Sequence, residues 1–231
     1  MGIFVIIEGL DASGKTTVSK MLKETLAKFN VYTIIKRDYF DNLEYVHYPN
    51  QYILDFSRKL NELAWKHPAE KLDFNIPVNT LGFIHAAWYD MFYSKHILHL
   101  KEKYDLVIVD GWWYKTFARI MTTSNRHYEL IVSLAPFLPF GDMTFFLNVQ
   151  PKIAWERRQG KLSGFELGLQ KATNKPDEKS NSLLEQFILF QKEVKENILK
   201  ILPNDFIEVD TSSSDINQVV DDIANRINQS I

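Results

Sequence analysis

Apolar residues in this chain fall into short unbroken runs separated by longer stretches of helical spacing. Ile3 to Ile7 is a continuous β-branched and aromatic run that ends in a glycine-rich turn. From Lys15 to Phe29 the apolar positions Val18, Met21, Leu22 and Leu26 recur at helical spacing, so the chain opens as strand, loop, helix. Val31 to Ile35, Asp105 to Asp110, Met143 to Val149 and Phe206 to Val209 read as further short buried strands. Helices are expected near 51–66, 78–103, 115–122, 128–135, 151–159, 182–202 and 214–229, the last behind the cap-like run Ser212-Ser213-Ser214-Asp215. Strands alternating with helices predict an α/β fold, a parallel sheet covered on both faces with ligands at the carboxyl ends of the strands. No repeat or linker divides the chain, so residues 1–231 are expected to form one domain. The polar, punctuated stretch at about 157–181 is expected to act as a lid.

Composition narrows the picture mainly by exclusion. With no cysteine there is no disulfide, thiolate metal site or cysteine nucleophile, which fits a reducing compartment. The first strand begins almost at Met1, leaving no room for a removable signal, and nowhere do 18 apolar residues run together, so a soluble, cytoplasmic protein without a membrane partner is expected. Lys plus Arg number 27 against 29 Asp plus Glu, a net charge of −2, so there is no global basic field for nucleic acid and any anion must be held locally. Aromatic residues make up 13% of the chain and many lie between Tyr39 and Tyr114. Trp88, Trp112 and Trp113 either stack on a base or pack in the core, and core packing is the commoner use.

The segment Gly9-Leu10-Asp11-Ala12-Ser13-Gly14-Lys15-Thr16 matches G-x-x-x-x-G-K-[ST], with a buried strand before it and an amphipathic helix after it. In such a loop the glycines let backbone N–H groups turn inward, and the helix start adds positive potential. Lys15 would reach the transferring phosphates of ATP and the Thr16 hydroxyl would ligate Mg²⁺. Asp110 ends an apolar strand, where a second magnesium-holding group is expected. Arg157 and Arg158 end the helix after the fourth strand, with Lys161 sharing their face, and would bring positive charge over the transferring group. Asn174-Lys175-Pro176-Asp177 spells the guanine-reading N-K-x-D, but no strand precedes it, and it reads as accident. His96 and His99, spaced H-x-x-H on an amphipathic helix, read as a partly packed pair without a metal.

With Phe4-Val5-Ile6-Ile7 leading into Glu8-Gly9-Leu10-Asp11-Ala12-Ser13-Gly14-Lys15-Thr16-Thr17, the chain resembles the thymidylate kinases, whose strand ends E-G-x-D-x-x-G-K-T-T. The resemblance runs on through Lys36-Arg37, the long helix before Asp110, the arginines after the fourth strand, and Glu193-Val194-Lys195-Glu196. It implies a three-layer α/β/α P-loop NTPase fold with a five-stranded parallel sheet and a small lid. It also implies transfer of the ATP γ-phosphate to a nucleoside monophosphate, dTMP to dTDP, with Mg²⁺, and a homodimer. By resemblance Gly9 to Thr17, Thr17 included, hold ATP, Asp11 contacts the acceptor sugar and its hydroxyl, and Arg37 helps hold the acceptor phosphate. Ala12, where some members carry arginine, resembles the subgroup that takes its catalytic arginine from the lid, which assigns Arg157 or Arg158.

The departures lie on the acceptor side. Family members continue the third strand as Asp-Arg-Tyr or Asp-Arg-His, whereas this chain has Asp110-Gly111-Trp112-Trp113. The Phe-x-x-x-Arg that meets thymine aligns by spacing with His85 and Tyr89, and neither reproduces a guanidinium fork. His85, Tyr89 and Trp112 stand as the candidate acceptor contacts, and Lys115 or Arg119, one or two turns beyond Asp110, as substitutes for the lost charge. Two other readings follow from the same departures: a deoxynucleoside kinase, whose acceptor carries no phosphate, and a regulatory protein that keeps only the ATP cradle.

Overall fold

A computed structural model of the protein describes residues 1–35, 50–65, 76–158 and 183–231. The strands are β1 (Ile3–Gly9), β2 (Val31–Ile35), β3 (Leu106–Asp110), β4 (Met143–Asn148) and β5 (Ile207–Asp210), and they form one sheet in the order β2-β3-β1-β4-β5. Every neighbouring pair is parallel, with Ile7 beside Asp110 across β1 and β3 and Gly9 beside Leu147 across β1 and β4. The expected strand bounds hold to within two residues.

The helices are α1 (Lys15–Thr25), α2 (Gln51–Trp65), α3 (Val78–Phe92), α4 (Leu98–Lys103), α5 (Trp113–Met121), α6 (Asn125–Leu134), α7 (Pro151–Arg158), α8 (Leu183–Ile201) and α9 (Ile216–Ser230). The helix expected over 78–103 is interrupted: a π-turn at Tyr93–Ile97 joins α3 to α4. Ser124 caps α6 by accepting the His127 N–H at 3.2 Å, so this helix begins earlier than the apolar spacing implied. Asp215, last of the polar run before α9, is the residue that caps it.

Alternation along the strands feeds two separate cores. Val5, Ile7, Leu106, Ile108, Phe145 and Leu147 face α1 and α9, meeting Val18, Leu22, Val220, Ile223 and Ile227. Phe4, Ile6, Val107, Val109 and Phe146 face the other layer, built from α3, α5 and α8. That second core is strongly aromatic: Trp112 and Trp113 are buried and both indole N–H groups donate to the Pro139 carbonyl, at 2.7 and 2.8 Å. The tryptophans after β3 are therefore mainly packing residues.

The chain runs from β1 outward to β2, returns to β3 on one flank of β1, and then crosses to β4 on the other. The crevice at the carboxyl end of β1 is thus the switch point where ligands collect in such sheets, and the phosphate loop occupies it. Among the described residues no helix is long and apolar enough to cross a membrane.

Candidate active site

The loop between β1 and α1 has the backbone that its glycines permit. Gly14, at φ 94°, is the left-handed residue from which α1 starts. A side chain at Gly9 would lie 2.5 Å from the Leu147 carbonyl and 2.6 Å from Ser13 Oγ, so β4 and the loop approach too closely for a Cβ. Ala12, at φ 55°, is the non-glycine residue with positive φ among the described residues. Its carbonyl is held at 3.2 Å by Arg157 Nη1, while Arg157 Nη2 donates to the Thr211 carbonyl at 2.5 Å.

Lys15 is folded over its own loop, its Nζ donating to the carbonyls of Gly9 at 2.9 Å and Leu10 at 2.6 Å and lying 3.4 Å from Ser13 Oγ. Burial depresses it from the usual lysine range to about 8; the charge of Lys115 adds to this, and Glu8, Asp11 and Asp110 oppose it. The ammonium is the form that holds phosphate, so ATP affinity measured without acceptor is expected to weaken as pH rises through about 8, by up to about tenfold per pH unit. Calorimetry in buffers of different ionisation heat would register proton uptake on binding; an affinity unchanged from about pH 7 to about pH 9 contradicts it.

Thr16 Oγ1 donates to Asp110 Oδ2 at 2.5 Å, across the gap between α1 and the end of β3. A hydroxyl and a carboxylate side by side on the cleft wall are hard oxygen donors of the kind that suits Mg²⁺, and the donor set fits that ion. Glu8, fully buried at the end of β1, accepts the Gly9 N–H at 2.9 Å on one oxygen and the Trp112 N–H at 3.0 Å on the other. One side chain thereby joins the phosphate loop to the turn after β3.

Asp11 is closed in by three donors. Lys115 Nζ reaches Oδ1 at 2.9 Å, and Arg119 Nη2 and Gln191 Nε2 reach Oδ2 at 2.5 and 3.0 Å. Burial on its own would raise this carboxyl; the charges of Lys115, Arg119 and Lys15 overcome it and hold the group well below the usual carboxylate range. Lys115 and Arg119 stand one turn apart on α5, as their spacing in the sequence implies, and both turn toward Asp11. Gln191 carries no motif, yet it leaves a trace in the sequence: a polar residue between Phe187 and Val194 in the apolar stripe of α8, itself fully buried.

Ala12 to Thr17, Arg157, Arg158 and Thr211 line one cleft of ≈ 990 Å³ together with Glu8, Asp11, Asp110, Gly111, Trp112 and Lys115. Leu10 packs in the core and contributes only its carbonyl. His85 and Tyr89 are buried and are not among the described residues that line this cleft. The Tyr89 hydroxyl donates to the Trp112 carbonyl at 3.2 Å with Thr116 Oγ1 3.3 Å away, and its ring meets Trp112 edge-on at 5.1 Å. The His85 ring lies 4.7 Å from that of Trp65. His96 is buried and stacked on Phe92, and burial, aided by His99, pushes it down to about 3. Arg37, Lys161, Asn174 to Asp177 and all of the expected lid beyond Arg158 lie outside the described residues.

Fold and site together define a phosphotransferase of the P-loop kinase class. The thymidylate kinase family profile matches residues 7–223, and the chain belongs to that family. The thymidylate kinase of Rickettsia canadensis is 30% identical over 161 residues, 68% of this chain and 69% of the relative. A probable thymidylate kinase of Saccharolobus solfataricus is 25% identical over 218 residues, 90% of this chain and 88% of the relative. In structure, the thymidylate kinase of Candida albicans superposes with a TM-score of 0.60 at 21% identity, covering 99% of this chain and 92% of that one, a likeness of fold.

Proposed function

We propose that this protein transfers the γ-phosphate of ATP to a deoxynucleoside monophosphate, converting dTMP to dTDP, with Gly9 to Thr17 cradling the donor. An oxygen of the acceptor phosphate attacks the γ-phosphorus, the bond from that phosphorus to the β,γ-bridging oxygen breaks, and ADP leaves with the electron pair. The chain's own part is positioning and charge. Inward N–H groups of the loop hold the β-phosphate, Lys15 turns from its carbonyls to the transferring group, and Arg157 and Arg158 stand at the cleft edge to meet charge on the γ-phosphate. Thr16 and Asp110 would hold Mg²⁺, which would supply positive charge to the phosphates.

The observation that carries this reading is the state of the carboxylates. A nucleoside hydroxyl must lose a proton to attack, whereas a monophosphate is already largely dianionic at neutral pH, its second pKa being about 6. Among the described residues the carboxylates lining the cleft are Glu8, Asp11 and Asp110, and each is engaged: Glu8 by two backbone N–H groups, Asp11 by two cations and an amide, Asp110 by Thr16. Both oxygens of Glu8 and of Asp11 accept hydrogen bonds, as does Oδ2 of Asp110, and Asp11 is held especially acidic. An acceptor that needs no base suits such a cleft. Glycine at 111, where an arginine would grip the acceptor phosphate, favours the second reading, a deoxynucleoside kinase.

One panel separates them. Purified protein with Mg-ATP is offered deoxy- and ribonucleoside monophosphates and free nucleosides, and products are resolved by ion-exchange chromatography. The expected result is dTDP from dTMP and no phosphorylation of thymidine. Diphosphate from no monophosphate at all sinks the proposal. The same reading carries the cytoplasm as compartment and a homodimer as assembly, the latter supported by exposed Tyr52 and Phe56 on α2 and Phe83 on α3.

A further inference from the structure

On the acceptor side of the cleft two cations face one carboxylate. Lys115 and Arg119 both pair with Asp11, so the trio carries a net single positive charge, held beside the end of β3. An ion pair this buried is stabilised when the carboxylate's lone pairs are filled, and Asp11 fills three of about four with Lys115, Arg119 and Gln191. Its side chain is 6% exposed. An oxygen so enclosed is poorly placed to receive a sugar hydroxyl, the role that the family resemblance assigns to it.

Lys115 is differently situated. Its side chain is 23% exposed, it lines the cleft, and its ammonium uses one of three N–H donors on Asp11 Oδ1. On the same wall, just before α5, is Gly111, where an added Cβ would meet no described residue within 4 Å. At the position from which relatives extend an arginine, no described residue crowds the backbone, and a cation on the same cleft arrives from α5 instead. Lys15 and Lys115 line the same cleft.

We propose that Lys115 grips the phosphate of the acceptor, and that Asp11 acts as the counter-ion that aims Lys115 together with Arg119, leaving the acceptor's sugar hydroxyl unread. Lys115 touches substrate; Asp11, Arg119 and Gln191 are positioning residues. This rests on the monophosphate kinase reading above, and binding rather than turnover tests it.

The experiment titrates the protein with dTMP, with its 3′-deoxy analogue and with thymidine, following binding by calorimetry. The wild-type protein is expected to bind the two monophosphates within about threefold of each other, and thymidine at least about tenfold more weakly. Lys115→Met is expected to weaken both monophosphates by roughly 10- to 100-fold with thymidine and ATP affinity unchanged, and Lys115→Arg to restore most of the loss. Monophosphate affinity within about twofold of wild type in Lys115→Met overturns the clamp. So does a 3′-deoxy analogue bound more than about tenfold more weakly than dTMP by the wild-type protein, a comparison that needs no variant to fold. If the clamp pattern is found and no diphosphate forms in the panel, the kinase reading falls and the clamp stands. If dTMP is turned over and Lys115→Met binds it normally, the clamp falls and the kinase reading stands.

Discussion

Lys15→Met is expected to lower kcat by at least about 10³-fold without lowering the melting temperature. The loss follows from the position of the ammonium, which sits over Gly9, Leu10 and Ser13 at the centre of the phosphate loop, where charge spreads in the transition state. The retained stability follows from its depressed pKa. A lysine that titrates near 8 in the fold and at its ordinary value of 10.5 when unfolded is one whose charged form the fold disfavours at neutral pH. Methionine fills the same volume without the charge, so melting should be unchanged or higher. Residual activity above about one per cent, by a coupled ADP assay, would mean that another group carries the transferring phosphate.

Asp11→Ala is expected to do the opposite to stability. Removing the carboxylate leaves Lys115 and Arg119 partly buried, side by side and uncompensated, and breaking such a pair costs about 3 kcal/mol, seen as a lower urea midpoint at unchanged slope. Pairing Asp11→Ala with Lys115→Met should cost less than the sum of the two, because the second change removes a charge the first had stranded. The pH dependence has a definite sign. Asp11 is shifted downward in the fold, so its stabilisation is fully present above the ordinary carboxylate pKa of about 4 and is lost only as pH falls below that. The gap between wild type and Asp11→Ala should be constant through neutral pH and close in strong acid. A gap that is absent at neutral pH would show that the pair contributes nothing.

The donor half was legible in the sequence because it is local. A buried strand, a glycine-rich turn and a helix start lie within some twenty residues, and Gly14 and Lys15 fall into place wherever that order is met. Asp110 was legible for a similar reason, as a carboxylate ending an apolar strand, and it meets Thr16 across the sheet edge. The cluster around Asp11 is assembled from afar: Gln191 reaches Asp11 from 180 positions away, and only its polarity within an apolar stripe hinted at it. Spacing put Lys115 and Arg119 on one face but could not say that they would converge on Asp11. Tyr89, matched to an acceptor contact by spacing alone, hydrogen-bonds the Trp112 carbonyl from within the aromatic core, and His85 packs on Trp65, neighbours that spacing could not show. The π-turn at Tyr93–Ile97 had no composition signal, since it inserts no glycine or proline into a helix-forming run.

Glu8 takes the N–H of residue 112, not its side chain. Every amino acid except proline presents that hydrogen in the same place, so the brace between phosphate loop and acceptor wall is blind to what the wall is made of. A lineage could exchange the arginine after Asp110 for glycine, bring in tryptophans, and recruit a lysine from the next helix, all without loosening the loop that holds ATP. The backbone bond makes the substrate-facing half replaceable, and it makes a change of acceptor a short evolutionary step.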